Sequence, residues 1–344
     1  MAPVELNDLD LRIWEEELVG FVPERVFDVH THIYRWAFYT APDKEQSSYR
    51  QFVIPQYEEA NWELLDECDR LLMPGRKVSR LAFPFPFAEH CDFDGSNRFV
   101  AEQVAADPPS GALMLVHPEM TADEIAAVVR RDGILGLKPY RFYSQTSDAV
   151  NCRITDFLPE HQIEVAHDLG LLIMMHLSRA DAIGDDQNLA DLQRLTATYP
   201  CAKWILAHCA RSYAAWPIER AGKRLADLPN VWFDTSSVCE SDAIESLIRT
   251  VGVERVMYGS DDVPVGVLRG KYIAFGYGWA YLSPTNQQLN LTHCDPRMTF
   301  TRYEQLRAMR RAALRLDLSA ERICSMFFDT AATLVADTRA GLPK

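Results

Sequence analysis

Short apolar runs rich in β-branched residues recur along this chain, and between them apolar positions return every three or four residues. Eight runs read as strands: Arg25 to Ile33, Ser79 to Phe87, Ala112 to His117, Ile134 to Tyr140, Leu171 to Leu177, Lys203 to Cys209, Val231 to Ser236 and Arg255 to Ser260. The intervening helices are predicted over Thr121 to Arg131, with Thr121 as N-cap, and over Thr155 to Leu169, Gln187 to Tyr199, Ser212 to Leu228 and Ser241 to Val251. Strand and helix in alternation imply a parallel sheet, and eight strands favour a closed (β/α)8 TIM barrel over an open doubly wound sheet. The tail from Arg302 to Ala336 reads as two packing helices.

Two connections exceed ordinary loop length: Tyr34 to Asn61 after the first strand and Pro264 to Phe300 after the eighth. Both are aromatic. The first holds Tyr34, Trp36, Phe38, Tyr39, Tyr49 and Phe52; the second holds Tyr272, Phe275, Tyr277, Trp279 and Tyr281. The expectation is one barrel over 1–344 with 264–300 as a lid insertion. Its rings either grip a flat or sugar-like substrate or pack the loops onto the barrel top.

At 344 residues and 48% hydrophobic the composition is that of a folded globular chain. A formal charge of -14 without a basic run excludes a nucleic-acid role. Eight scattered cysteines without Cys-x-x-Cys exclude a zinc ribbon or a small disulfide scaffold. The acidic start and the lack of any apolar run of about 18 residues predict a soluble, cytoplasmic protein without membrane contact.

Barrel active sites form at the carboxyl ends of strands, and several runs end on residues that bind metals. Phe27-Asp28-Val29-His30-Thr31-His32 closes the first strand. Residues two apart project alike from a strand, so His30 and His32 can reach one cation, with Asp28 on the same face. His176 ends LLIMMH, His208 ends KWILAH and Asp261 ends RVMYGSD, with Asp262 pointing elsewhere. A lone buried histidine is most often satisfied by core hydrogen bonds. Four histidines and an aspartate at strand ends would each cost free energy without a shared partner.

In these motifs the chain resembles the amidohydrolase superfamily, in the amidohydrolase-related (amidohydrolase 2) branch that includes the aminocarboxymuconate semialdehyde decarboxylase type and various lactone and amide hydrolases. The resemblance implies that His30, His32, His176 and Asp261 bind one divalent metal, most often Zn2+. It also implies that His208 holds or activates a metal-bound water and that Asp261 takes the proton. Lys138 falls where some superfamily members carry a carboxylated, metal-bridging lysine; the reading here is one metal and an unmodified Lys138 that contacts substrate. Arg141, Arg179 and Arg211 lie just beyond strand ends, where a guanidinium grips a carboxylate or makes a loop salt bridge, and Arg141 ranks first. Asp234 either orients a ligand from behind or caps the next turn. His117 is expected as a pocket wall. The chain departs from the branch at Cys209-Ala210-Arg211, where many relatives have glycines, at Asp329, where asparagine is frequent, and in the aromatic insertion.

The leading functional expectation is a metal-dependent hydrolase using metal-bound hydroxide on an amide, lactone or ester of a carboxylated small molecule. The alternatives are a metal-dependent non-oxidative decarboxylase, an isomerase of the uronate type, and a non-catalytic barrel serving as a binding module. The resemblance leaves room for a homo-oligomer.

Overall fold

The computed structural model describes residues 4–50, 57–288 and 291–342. Part of the first long loop, with Phe52, lies outside the described residues. Nine strands form one sheet: β1 (Arg25–Arg35), β2 (Glu59–Ala60), β3 (Lys77–Pro84), β4 (Gly111–Val116), β5 (Gly136–Pro139), β6 (Leu172–Met175), β7 (Lys203–Leu206), β8 (Val231–Asp234) and β9 (Val256–Met257). Eight of them run parallel in the order β1-β3-β4-β5-β6-β7-β8-β9, and the short β2 adds antiparallel to β1. The last strand returns to the first: Val29 N–H donates to Tyr258 O at 3.0 Å and Asp261 N–H to His30 O at 2.9 Å. Closure removes both sheet edges, as the eight-run pattern predicts.

The strands are short because the barrel needs only a few interior residues from each. Phe27, Val29, Leu81, Phe83, Leu113, Leu135, Leu172, Met174, Ile205, Ala207 and Met257 fill the interior. Ala331, Leu334 and Val335 of the helix Thr330–Gly341 join that cluster. Lys203 Nζ, at the start of β7, donates to Thr338 Oγ1 of this helix at 2.9 Å. The C-terminal helix therefore plugs the amino-terminal end of the barrel and leaves the carboxyl ends as the working face.

Most predicted helices form, and local chemistry sets their limits. Thr121 and Glu124 build a reciprocal capping box before Ala122–Asp132, which stops at Gly133 with φ 65°. The stretch expected as Thr155 to Leu169 divides into Ile154–Phe157 and Glu160–Asp168, because Pro159 cannot donate and drives Leu158 extended. Ser212 to Leu228 divides at Gly222 into Trp216–Ala221 and Lys223–Ala226. Two helices the periodicity did not single out, Trp62–Leu72 and Phe93–Val104, also flank the barrel. After β9 the long insertion folds into a hairpin, β10 (Lys271–Phe275) and β11 (Gly278–Leu282). Among the described residues no helix is long and apolar enough to cross a membrane.

Candidate metal centre

His30 and His32 reach the barrel mouth through a bulge. Opposite β3, the step from Asp28 to Thr31 spans one residue more than the step from Arg80 to Ala82. Below the bulge Phe27 and Val29 face the interior; above it the phase flips, and the histidines take the inward positions. Asp28 therefore does not share their face as strict alternation predicts. Its Oδ1 instead accepts the N–H groups of His30 at 3.0 Å and Ser260 at 2.8 Å, tying β1 to the segment that carries Asp261. Burial pushes the Asp28 carboxyl up to about 6 against the pull of the Ser260 hydrogen bond and the Arg302 charge.

Asp261 stands at the end of the ninth strand's extension with φ 65°. Gly259 admits the approach, since a Cβ there would stand 2.7 Å from His30 Cβ. His30 Nε2 and His32 Nε2 each lie 3.4 Å from Asp261 Oδ1. The opposite ring nitrogens are engaged: His30 Nδ1 with Asp234 Oδ2 at 2.9 Å, and His32 Nδ1 with Pro84 O at 3.4 Å. Both partners accept, so the Nδ1 atoms hold the protons and the Nε2 lone pairs face the carboxylate. Burial first, and then the Lys138 charge, push the His30 imidazole down to about 3, and burial lowers His32 as well, so both rings are neutral. Burial opposes ionisation of Asp261, yet His32, His30 and His208 around it hold its carboxyl well below the usual range.

Three electron-pair donors thus converge with no proton between them. The separation from each imidazole Nε2 to the carboxylate oxygen is 3.4 Å. It suits two ligands of one tetrahedral ion, where bonds near 2.0–2.1 Å place neighbouring donors about 3.3 Å apart. The donor set fits a divalent cation of the zinc type.

His208 arrives differently. Ile205 and Ala207 point inward, which by alternation would send His208 outward. The backbone turns left-handed at His208, Cys209, Ala210 and Arg211, with φ between 52° and 58°, and this turn brings the ring back to the mouth. Four consecutive non-glycine residues in that region carry strain on the order of 1–2 kcal/mol each. Asp234 Oδ1 accepts His208 N–H at 2.9 Å and Ser236 N–H at 3.0 Å, so Asp234 both backs His30 and caps the turn. His208 Nδ1 lies 2.9 Å from Ser236 O, and its ring sits 4.8 Å from that of His30. Burial opposes the Asp234 charge, but His30, His208 and Ser236 keep its carboxyl strongly lowered.

The family model described as Amidohydrolase matches residues 27–335. The chain belongs to the amidohydrolase family. Among solved structures, this amidohydrolase is similar to one from Burkholderia multivorans with bound zinc, at 16% identity and TM-score 0.59 over 92% of this chain and 99% of that one. It is also similar to 4-oxalomesaconate hydratase from Rhodopseudomonas palustris, at 16% identity and TM-score 0.56, covering 92% and 97%. A third is 5-carboxyvanillate decarboxylase from Sphingomonas paucimobilis, at 14% identity and TM-score 0.51, covering 91% and 99%. At these identities the likeness is one of fold. No curated protein matches the chain.

The remaining candidates of the amidohydrolase mouth divide. His176 stays outside the tight set of His30, His32 and Asp261 and lies against His208, ring centroids 5.2 Å apart. Its Nδ1 is buried without a hydrogen-bond partner. Burial first, then the neighbouring His208 and the cationic Arg211, Lys138 and Arg141, hold its imidazole neutral. Lys138 is fully buried, its Nζ unpartnered, 4.5 Å from the Phe83 ring centre and 4.9 Å from that of Tyr140. Burial pushes the ammonium down to about 7 against the pull of Asp234 and Asp261. Arg211 donates to the carbonyls of Ser178 and Arg179, and Arg141 to Ala149 O at 2.9 Å. Arg179 is taken up by an ion pair with Asp185 at 2.8 Å. His117 packs on Phe93 at 4.7 Å and stands apart from the cluster.

Sequence reasoning passed over Ser236, Ser237 and Tyr213. Ser237 Oγ donates to Asp261 Oδ2 at 2.6 Å, and Tyr213 stacks on His208 with centroids 5.8 Å apart. The polar run Thr235-Ser236-Ser237 after the apolar VWF was the available signal for the serines.

Proposed function

We propose that this chain is a divalent-cation-dependent hydrolase that opens an amide, lactone or ester bond in a carboxylated small molecule. The observation that carries the reading is the meeting of two neutral Nε2 lone pairs with Asp261 Oδ1, each opposite nitrogen being engaged from behind. His30, His32 and Asp261 would hold the ion, zinc by donor type, and the unpartnered His176 would add the fourth ligand. Such an ion, when bound, polarises a carbonyl and acidifies water toward neutrality. His208, engaged at Nδ1, presents Nε2 as the acceptor for the proton of attacking water. Asp261 keeps Oδ2 on the Ser237 hydroxyl and is the second group able to pass a proton.

Lys138, Arg141 and Arg211 have no carboxylate partner among the described residues, and all three act on His176. A substrate carboxylate would satisfy them. This group also favours a second reading, non-oxidative decarboxylation, because a carboxylate fixed beside the ion can be a handle or the leaving group. An idle barrel is disfavoured: a buried, unpaired ammonium and converging lone pairs cost stability that a mere scaffold would not carry.

Product analysis decides. Incubation of zinc-loaded protein with carboxylated lactones, amides and aromatic acids should yield ring or amide opening, and carbon dioxide release would install the decarboxylase reading instead. His208→Ala should lower turnover by at least about a hundredfold; near-normal turnover would remove His208 from the chemistry.

A further inference from the structure

The β10–β11 hairpin lies on the site itself. Its register pairs Tyr272 with Tyr281 and Ala274 with Trp279, so these four side chains share one face. That face is laid on Tyr213: the Tyr272 ring is 4.3 Å away and the Trp279 ring 5.7 Å away, while Tyr213 stacks on His208 at an interplanar angle of 24°. Trp279 also stands 6.0 Å from the Arg211 guanidinium. Beside His176, on the other hand, Tyr140 stands 6.1 Å from the imidazole and stacks on Phe142 at 15°. Aromatic faces therefore flank the histidine cluster on two sides, with Lys138, Arg141 and Arg211 among them. The hairpin tip is a different surface, where Phe275 and Tyr277 are exposed.

We propose that the hairpin is a specificity element: Trp279 and Tyr272, acting with Tyr213, select a flat, unsaturated ring carboxylate over a saturated ring acid of equal charge. The proposal rests on the reading of the cluster as the reaction centre. A planar ring offers a π-face to aromatic walls and leaves its in-plane carboxylates to the cations, whereas a puckered ring of tetrahedral carbons makes fewer face contacts. Each ring contact is worth roughly two- to tenfold in affinity.

The test is calorimetric binding of benzene-1,3-dicarboxylate and of cyclohexane-1,3-dicarboxylate to the zinc-loaded protein. The wild type should prefer the flat acid by about tenfold or more. Trp279→Ala and Tyr272→Ala, both half-buried positions, should bring the two affinities within about threefold while zinc content stays unchanged. Phe275→Ala on the exposed tip should keep the wild-type ratio. Equal affinities in the wild type, binding of neither acid at millimolar concentration, or an unchanged ratio in both hairpin variants would overturn the proposal. Zinc content is read separately, so its loss from the wild type would instead mark failure of the metal-centre reading.

Discussion

Single side chains at the mouth are placed to be unsatisfied until something binds. Lys138 is the sharpest case, since its ammonium is buried beside two aromatic rings with no hydrogen-bond partner among the described residues. Its pKa falls from the ordinary 10.5 to about 7. Below pH 7 both folded and unfolded chains carry the proton, and the cost of the buried charge is felt in full. Between about 7 and 10 the folded chain has released the proton and the unfolded chain has not, so stability rises with pH, by up to about 1.4 kcal/mol per unit. Urea unfolding of the metal-free protein at pH 7 and pH 9 should show that gain in the wild type and lose it in Lys138→Met. A gain of equal size in the variant would place the titration elsewhere.

At the scale of elements, strand alternation carries some of the site and local backbone irregularity carries the rest. His176 continues the inward phase of Leu172 and Met174, and Asp261 that of Met257, which agrees with their reading as the polar ends of apolar runs. His30 and His32 depend on a bulge, and His208 on a left-handed turn without glycine. Neither device has a composition signal in this chain, which is why Asp28 was assigned to the wrong face. The helix start at Thr121 was legible because its cap is local chemistry, Thr followed three residues later by Glu. Removing it tests that logic: Thr121→Ala should cost about 1 kcal/mol in urea unfolding and leave zinc content unchanged. A cost below about 0.3 kcal/mol would mean the cap adds little. Pro159 and Gly222 were visible breakers inside predicted helices, and they divided both.

The whole molecule is held together around a buried charge network that no strand pattern revealed, because its members are far apart in the chain. Arg302 pairs with Asp69 and Asp262, and Arg80 pairs with Asp69 and with Asp66 at 2.8 Å. It joins the helix Thr301–Arg315 to the helix Trp62–Leu72 and to the residue after Asp261. Arg302→Met should leave the Asp262 carboxylate buried without its ion-pair partner and cost about 3–5 kcal/mol of unfolding free energy; a loss under about 1 kcal/mol would show that the network is relaxed by solvent. The barrel as a whole was legible as eight apolar runs, and its closure is what brings Asp261 from the last strand against His30 on the first. That meeting is most directly tested by the metal content of zinc-reconstituted protein. The account predicts one equivalent of zinc per chain in the wild type and in His208→Ala, and less than about a tenth in His30→Ala. Full retention in His30→Ala, or no zinc in the wild type, would contradict it.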